Sequence, residues 1–139
     1  MKNLVSRIEH IGIVVEELEK SLLPYQELLQ LELKEIEEIE VQDATNRVAF
    51  LPIAGVNIEL VETSATTGLA ADFLRGKGEG IHHIAFKVDN LETLFNELKS
   101  KGTKFIWDKI IQGSRGSKVA FFEPSEFNGV YIELVEKQE

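Results

Sequence analysis

The chain has 139 residues, 43% of them hydrophobic and 28% charged, as expected of one soluble domain with a real core. It has no cysteine, which excludes disulfides and thiolate chemistry, and its net charge of −9 argues against binding nucleic acid or an anionic membrane. No apolar run is long enough to span a bilayer, and Met1-Lys2-Asn3-Leu4 does not begin an apolar signal core, so a cytoplasmic protein is expected.

In chain order, Ile8 to Val15 predicts a strand. Alternation turns His10, Gly12 and Val14 to one face and Ile11, Ile13 and Val15 to the other. Both faces are apolar enough to be covered. A helix is expected from Glu17 to Gln30, with Leu18, Leu22, Tyr25 and Leu29 as its buried stripe and Pro24 as a break or kink. Leu31 to Val41 reads as a more exposed strand, and the acids between Glu35 and Glu40 as a solvated face. Gln42 to Asn46 reads as a turn, Arg47 to Ile53 as a third strand and Val56 to Glu62 as a fourth. The stretch from Thr63 to Gly80, rich in small residues, reads as a connector with a short helix at Leu69 to Leu74.

The order then repeats. Ile81 to Val88 predicts a strand, and Leu91, Leu94, Phe95 and Leu98 a helix stripe that stops at Gly102. Phe105 to Ile111 is expected as a strand, Gly113 to Ser117 as a loop, and Lys118 to Phe122 and Gly129 to Val135 as the last two strands. Specific matches support a duplication. Ile58-Glu59-Leu60-Val61-Glu62 recurs identically as Ile132-Glu133-Leu134-Val135-Glu136, 74 residues on. Val48-Ala49-Phe50 recurs as Val119-Ala120-Phe121, and His10 aligns with His83 at an offset of 73. Each copy reads β-α-β-β-β, so the expected class is α+β. Residues 1–139 would form a single domain: a first module of about 1–62, a connector of 63–79 and a second module of about 80–139.

The repeat marks four polar residues inside apolar strands: His10, Glu59, His83 and Glu133. Carboxylates there are costly unless paired or metal-bound. Two carboxylates with two neutral imidazoles carry −2, which one divalent cation cancels while using all four as ligands. The repeat selects His83 over its neighbour His82, which aligns with Glu9 and is expected to point outward or support a neighbour. Glu62 and Glu136 also repeat but end their strands, where solvent is the expected partner.

With these residues in place, the chain resembles the vicinal oxygen chelate superfamily, also called the glyoxalase/bleomycin-resistance/dioxygenase fold. The resemblance implies that the two tandem modules form a cup-shaped mixed sheet. It also implies a divalent metal held by the first and fourth strands of each module, where His10, Glu59, His83 and Glu133 fall. Within the superfamily, Arg7 to Val15, Gly78 to Asp89 and Gly129 to Glu136 are most similar to the methylmalonyl-CoA epimerase family. Three segments depart from that family. A Pro-Glu-x-Gly-Val-like segment is replaced by Gln42 to Asn46, and a His-Pro-Lys-like one by Glu123-Pro124-Ser125. Val48 is the best match for a glutamate that some members use as a base.

The resemblance implies removal of the α-proton of an acyl-CoA thioester through a metal-stabilised enolate. Glu133 and Glu59 would act as bases on opposite faces, with cobalt, nickel, zinc or manganese as the ion. Arg115 and Lys118 are the first candidates to meet the anionic substrate, with Arg75 and Lys77 behind them. The alternatives are lactoylglutathione lyase acting on a glutathione hemithioacetal and a non-catalytic small-molecule-binding protein of the same fold. A ring-cleaving dioxygenase fits less well, because a fourth ligand blocks a position that dioxygen needs. Small relatives of this fold pair as homodimers, so a homodimer is implied.

Overall fold

The computed structural model describes residues 4–41 and 44–138. Its elements run β1 (Val5–Val14), α1 (Leu18–Glu27), β2 (Glu35–Val41), β3 (Ala44–Ile53), β4 (Val56–Thr63), α2 (Leu69–Lys77), β5 (Gly80–Val88), α3 (Leu91–Ser100), β6 (Ile111–Gln112), β7 (Lys118–Phe121) and β8 (Tyr131–Glu136). The class is α+β with a mixed sheet. Two compact units divide the chain: His10–His82 is one, and Met1–Glu9 with His83–Glu139 is the other. The boundary cuts β1, which gives its second half to the first of these units and its first half to the other.

In the unit His10–His82 the strands run in the order β2-β3-β4-β1. β2 with β3 and β3 with β4 are antiparallel, and β4 with β1 is parallel. Alternation sorts the side chains into two layers. On one face Val15, Ala49, Leu51 and Leu60 pack against Leu18 and Leu22 of α1. On the other, Val14, Val48, Phe50 and Val61 pack with Ala70 of α2. The expected faces of β1 and β4 are therefore observed.

The second unit repeats the plan. β5, β8, β7 and β6 follow in that order, with the first half of β1 beside β5. One face gathers Leu91, Leu94 and Phe95 of α3 with Ala120, Ile132 and Leu134. The opposite face holds Ala85, Val119 and Val135. The starts of α1 and α3 are built alike. Leu18 N–H donates to Glu62 Oε2 at 2.8 Å, and Leu91 N–H donates to Glu136 Oε1 at 2.8 Å. Each carboxylate satisfies an otherwise orphaned amide and meets the positive end of the helix dipole. Solvent is therefore not the main partner of these two glutamates, contrary to the expectation for strand-end acids. Glu62 also takes a hydrogen bond from Arg47 at 3.1 Å.

Several boundaries differ from the sequence expectation. α1 runs past Pro24, which sits on its exposed side, and ends three residues later at Glu27. Leu29 is consequently 63% exposed and outside the stripe. Residues 31–34 form no strand, although Leu31 and Leu33 still pack beneath α1. The expected turn over 42–46 does not extend to Ala44, which already opens β3. Gln42 and Asp43 lie outside the described residues, as do Met1 to Asn3 and Glu139. The expected strand from Phe105 to Ile111 reduces to a single bridge, Phe105 to Phe122, and the short β6. Phe105 packs instead between Phe95 and Phe122, at ring distances of 4.5 and 4.8 Å. Among the described residues no helix is long and apolar enough to cross a membrane.

Candidate metal centre

The geometry follows from strand register. In the first of the two units His10 lies across from Asn57, and Gly12 across from Glu59. On its other side Glu59 faces Phe50. In the second unit His83 lies across from Tyr131, Ala85 from Glu133, and Glu133 from Phe121. Each glutamate thus sits between a residue with little or no side chain and a phenylalanine. Gly12 and Ala85 put no bulk beside it, so the carboxylate can lean diagonally toward the histidine. His10 Nδ1 lies 3.2 Å from Glu59 Oε2, and His83 Nε2 lies 3.2 Å from Glu133 Oε1.

All four residues are buried, at 5%, 5%, 9% and 4% exposure for His10, Glu59, His83 and Glu133. A carboxylate in such surroundings pays a desolvation cost of several kcal/mol unless a cation or hydrogen bonds compensate, by order of magnitude. In both units the carboxylate turns to an imidazole nitrogen, and that contact places one nitrogen and one oxygen donor together. With neutral imidazoles each pair carries −1. This donor set, buried and anionic, fits a divalent transition metal. Aromatic rings back the second pair: Phe121 meets His83 edge-on at 5.3 Å, and Trp107 meets Phe121 edge-on at 5.7 Å.

His82 does not point outward. It is buried, and its ring meets Phe73 edge-on at 5.0 Å. Burial pushes its pKa down to about 4, so it is neutral near pH 7. Its counterpart Glu9 is also buried, with Lys137 Nζ donating to Glu9 Oε2 at 3.2 Å.

The candidate cations fall in different places. Lys118 opens β7, is exposed, and lines a cavity of about 760 Å³ with Ser117, Lys137 and Glu136. Arg115 sits in a 3-10 turn over Ser114–Gly116 with φ of +53°. Arg75 is committed to α2, donating to Thr66 O at 2.9 Å and Asp72 Oδ1 at 2.5 Å. Lys77 lies over the Phe73 ring at 5.8 Å. The sequence reading missed Arg47, which pairs with both Glu19 and Glu62. The helix-start roles of Glu62 and Glu136 were visible only as an unexplained match between the copies.

Comparison with known proteins identifies the family. The family model of the Glyoxalase/Bleomycin resistance protein/Dioxygenase superfamily matches residues 9–121. The chain is 35% identical over 132 residues to uncharacterized protein YqjC of Bacillus subtilis, covering 95% of this chain and 93% of that one. It is 28% identical over 131 residues to mitochondrial methylmalonyl-CoA epimerase of Bos taurus, covering 94% of this chain and 74% of that one. Among solved structures, a variant of Streptomyces coelicolor methylmalonyl-CoA epimerase in complex with 2-nitronate-propionyl-CoA matches with a TM-score of 0.85. Their identity is 27%, over 97% of this chain and 99% of that one. With this family model matching residues 9–121, a relative at 35% identity and a buried His–Glu pair in each unit, the chain belongs to the glyoxalase/bleomycin resistance protein/dioxygenase superfamily.

Proposed function

We propose that this chain is a metal-dependent methylmalonyl-CoA epimerase. The observation that carries the proposal is the pair of repeat-related buried carboxylates, Glu59 and Glu133, each held against a histidine in a chain related to such epimerases. The reading treats residues 1–139 as one domain of two modules, about 1–62 and 80–139, joined by 63–79. His10, Glu59, His83 and Glu133 would together hold one divalent ion of the cobalt, nickel, zinc or manganese type. Bound there, such an ion supplies positive charge where negative charge develops on substrate oxygens.

The remaining chemistry belongs to the side chains. Epimerisation needs a base on one face of the α-carbon and an acid on the other. Glu133, as the carboxylate, takes the α-proton, and Glu59, its counterpart in the first module, enters the turnover as the carboxylic acid and gives its proton to the opposite face, ending as the carboxylate; the reverse reaction exchanges the roles. Phe50 and Phe121 lie across the strands from the two carboxylates and keep that side of each apolar. Lys118 and Arg115 are the proposed contacts for the anionic part of an acyl-CoA. A homodimer is part of the same proposal, and light scattering at micromolar concentration checks it by mass.

The test is the α-proton itself. The cobalt-loaded protein is incubated with methylmalonyl-CoA in heavy water and followed by NMR. Metal-dependent exchange with loss of stereochemical purity supports the epimerase. A metal-bound protein that exchanges nothing removes that activity and leaves the hemithioacetal of lactoylglutathione lyase as the next substrate to try.

A further inference from the structure

Trp107, whose ring meets Phe121 beside His83, also lines a second cavity, of about 520 Å³, a volume within the range of small-molecule sites. Thr103, Lys104, Phe105, Glu123 and Ser125 line it too, all in the unit that carries His83 and Glu133. Backbone hydrogen bonds fix its walls. Glu123 N–H donates to Lys104 O at 2.9 Å, Ile106 N–H donates to Phe121 O at 2.8 Å, and Lys104 N–H donates to Glu126 Oε2 at 2.7 Å.

The charged groups at this cavity differ in what they already hold. Lys99 is neutralised by Asp108, with Nζ donating to Oδ1 at 2.5 Å. Lys104 and Glu123 are not neutralised: among the described residues neither the ammonium nor the carboxylate has a hydrogen bond or ion pair, although their backbones are joined. The indole N–H of Trp107 likewise has no acceptor among the described residues. The edge-on contact with Phe121, at 5.7 Å, leaves at least one face of the indole with no described ring against it. Trp107 and Glu123 are half-buried and Lys104 is exposed, so the wall is apolar inside and cationic at the rim. Each part of a purine nucleotide has a counterpart here. Bases stack on aromatic rings, a carboxylate accepts from a ribose hydroxyl, and an ammonium meets a phosphate as a point charge.

We infer that this cavity receives the adenosine 3′-phosphate end of an acyl-CoA, with the base on Trp107, the ribose hydroxyl at Glu123 and the 3′-phosphate at Lys104. This rests on the acyl-CoA reading above. Two ring contacts, Trp107 to Phe121 at 5.7 Å and Phe121 to His83 at 5.3 Å, keep the indole close to the proposed metal ligand. A thioester at that ligand therefore folds its flexible arm back to place the base. The chain carries a net charge of −9, so a nucleotide needs a local cation and an apolar face, and this cavity has both.

The probe is 3′-phosphoadenosine 5′-diphosphate, the end of CoA without its arm, added to the full chain. Pantetheine 4′-phosphate, the arm without its nucleotide, is the control. Calorimetry gives each Kd, and nitrogen-edited NMR follows the indole N–H of Trp107, a single resonance because the chain has one tryptophan. The nucleotide should bind, move that resonance with the calorimetric Kd, and be displaced by methylmalonyl-CoA. Trp107→Ala should weaken it about 5- to 150-fold, the range for one base–aromatic stack. Lys104→Gln should weaken it about 2- to 5-fold and flatten its dependence on salt, the scale of one exposed charge contact. If a melting curve shows Trp107→Ala unfolded, the parent spectra and Lys104→Gln decide. An unmoved indole resonance, an equal shift with the arm alone, or an unchanged Kd in Lys104→Gln overturns the inference. So does a nucleotide that methylmalonyl-CoA fails to displace. These readouts need no turnover: a chain without α-proton exchange that still binds the nucleotide at Trp107 loses the epimerase and keeps this site, and exchange with no nucleotide binding does the reverse.

Discussion

In the proposed reaction Glu133 would be a ligand and a base at once, and the two duties separate under substitution. Glu133→Gln keeps the shape and a carbonyl oxygen but loses the charge. We expect α-proton exchange to fall at least about 100-fold, the scale of a lost general base, with a weaker cobalt titration. Full turnover with metal retained would remove Glu133 from the mechanism. Away from the site, the Glu19 carboxyl is held below its ordinary value of 4.5, first by its hydrogen bond from Arg47. A pKa lowered on folding contributes stability that is present above the unfolded value and lost as pH falls through the folded one. The pair is exposed, so that contribution is small. The sharper expectation is local: a carbon-detected NMR titration of Arg47→Gln should show the Glu19 midpoint rising, and an unmoved midpoint would refute the assignment.

At the scale of elements, two strand-end carboxylates organise two helices. Removing either one leaves a first-turn amide without its partner and takes a negative charge from the positive end of a helix. Glu136→Ala should cost about 1 to 2 kcal/mol in urea unfolding, and Glu62→Ala at least as much because it also releases Arg47. Equal stability of parent and variants would show that the helix starts are satisfied in another way. Leu18 and Leu91, both with no exposed surface, anchor those helices, and Leu91→Ala should cost about 2 to 5 kcal/mol. The strands that carry the site were legible because a period of two separates Glu59 and Val61 from Ile58 and Leu60, and duplication supplied a second reading of each. The segment from Phe105 to Ile111 was misread for a physical reason. Aromatic and β-branched residues favour a pleated surface, but propensity is silent on whether a partner strand is available. Here Phe105 fills the aromatic cluster with Phe95 and Phe122, and between its one bridge to Phe122 and the short β6 the chain bends instead of continuing as a strand. The helix-start roles of Glu62 and Glu136 were illegible because they depend on where a distant helix begins, 44 residues back along the chain in one copy and 45 in the other.

For the molecule as a whole, binding of an ion to the folded state alone must raise stability by mass action. At a free metal concentration 100 times Kd the gain is about 2.7 kcal/mol, on the order of 5 to 10 °C in Tm for a chain of this size. Calorimetry with cobalt and then with a chelator should show that rise and its reversal, and a Tm indifferent to both would count against the four-residue ligand set. One feature makes occupancy visible without any label. The chain has a single tryptophan, Trp107, and it meets Phe121, which in turn meets His83. All emission from the indole therefore originates two aromatic contacts from a proposed ligand. A paramagnetic ion at that histidine would drain its excited state, so the protein carries its own optical gauge of how full the site is.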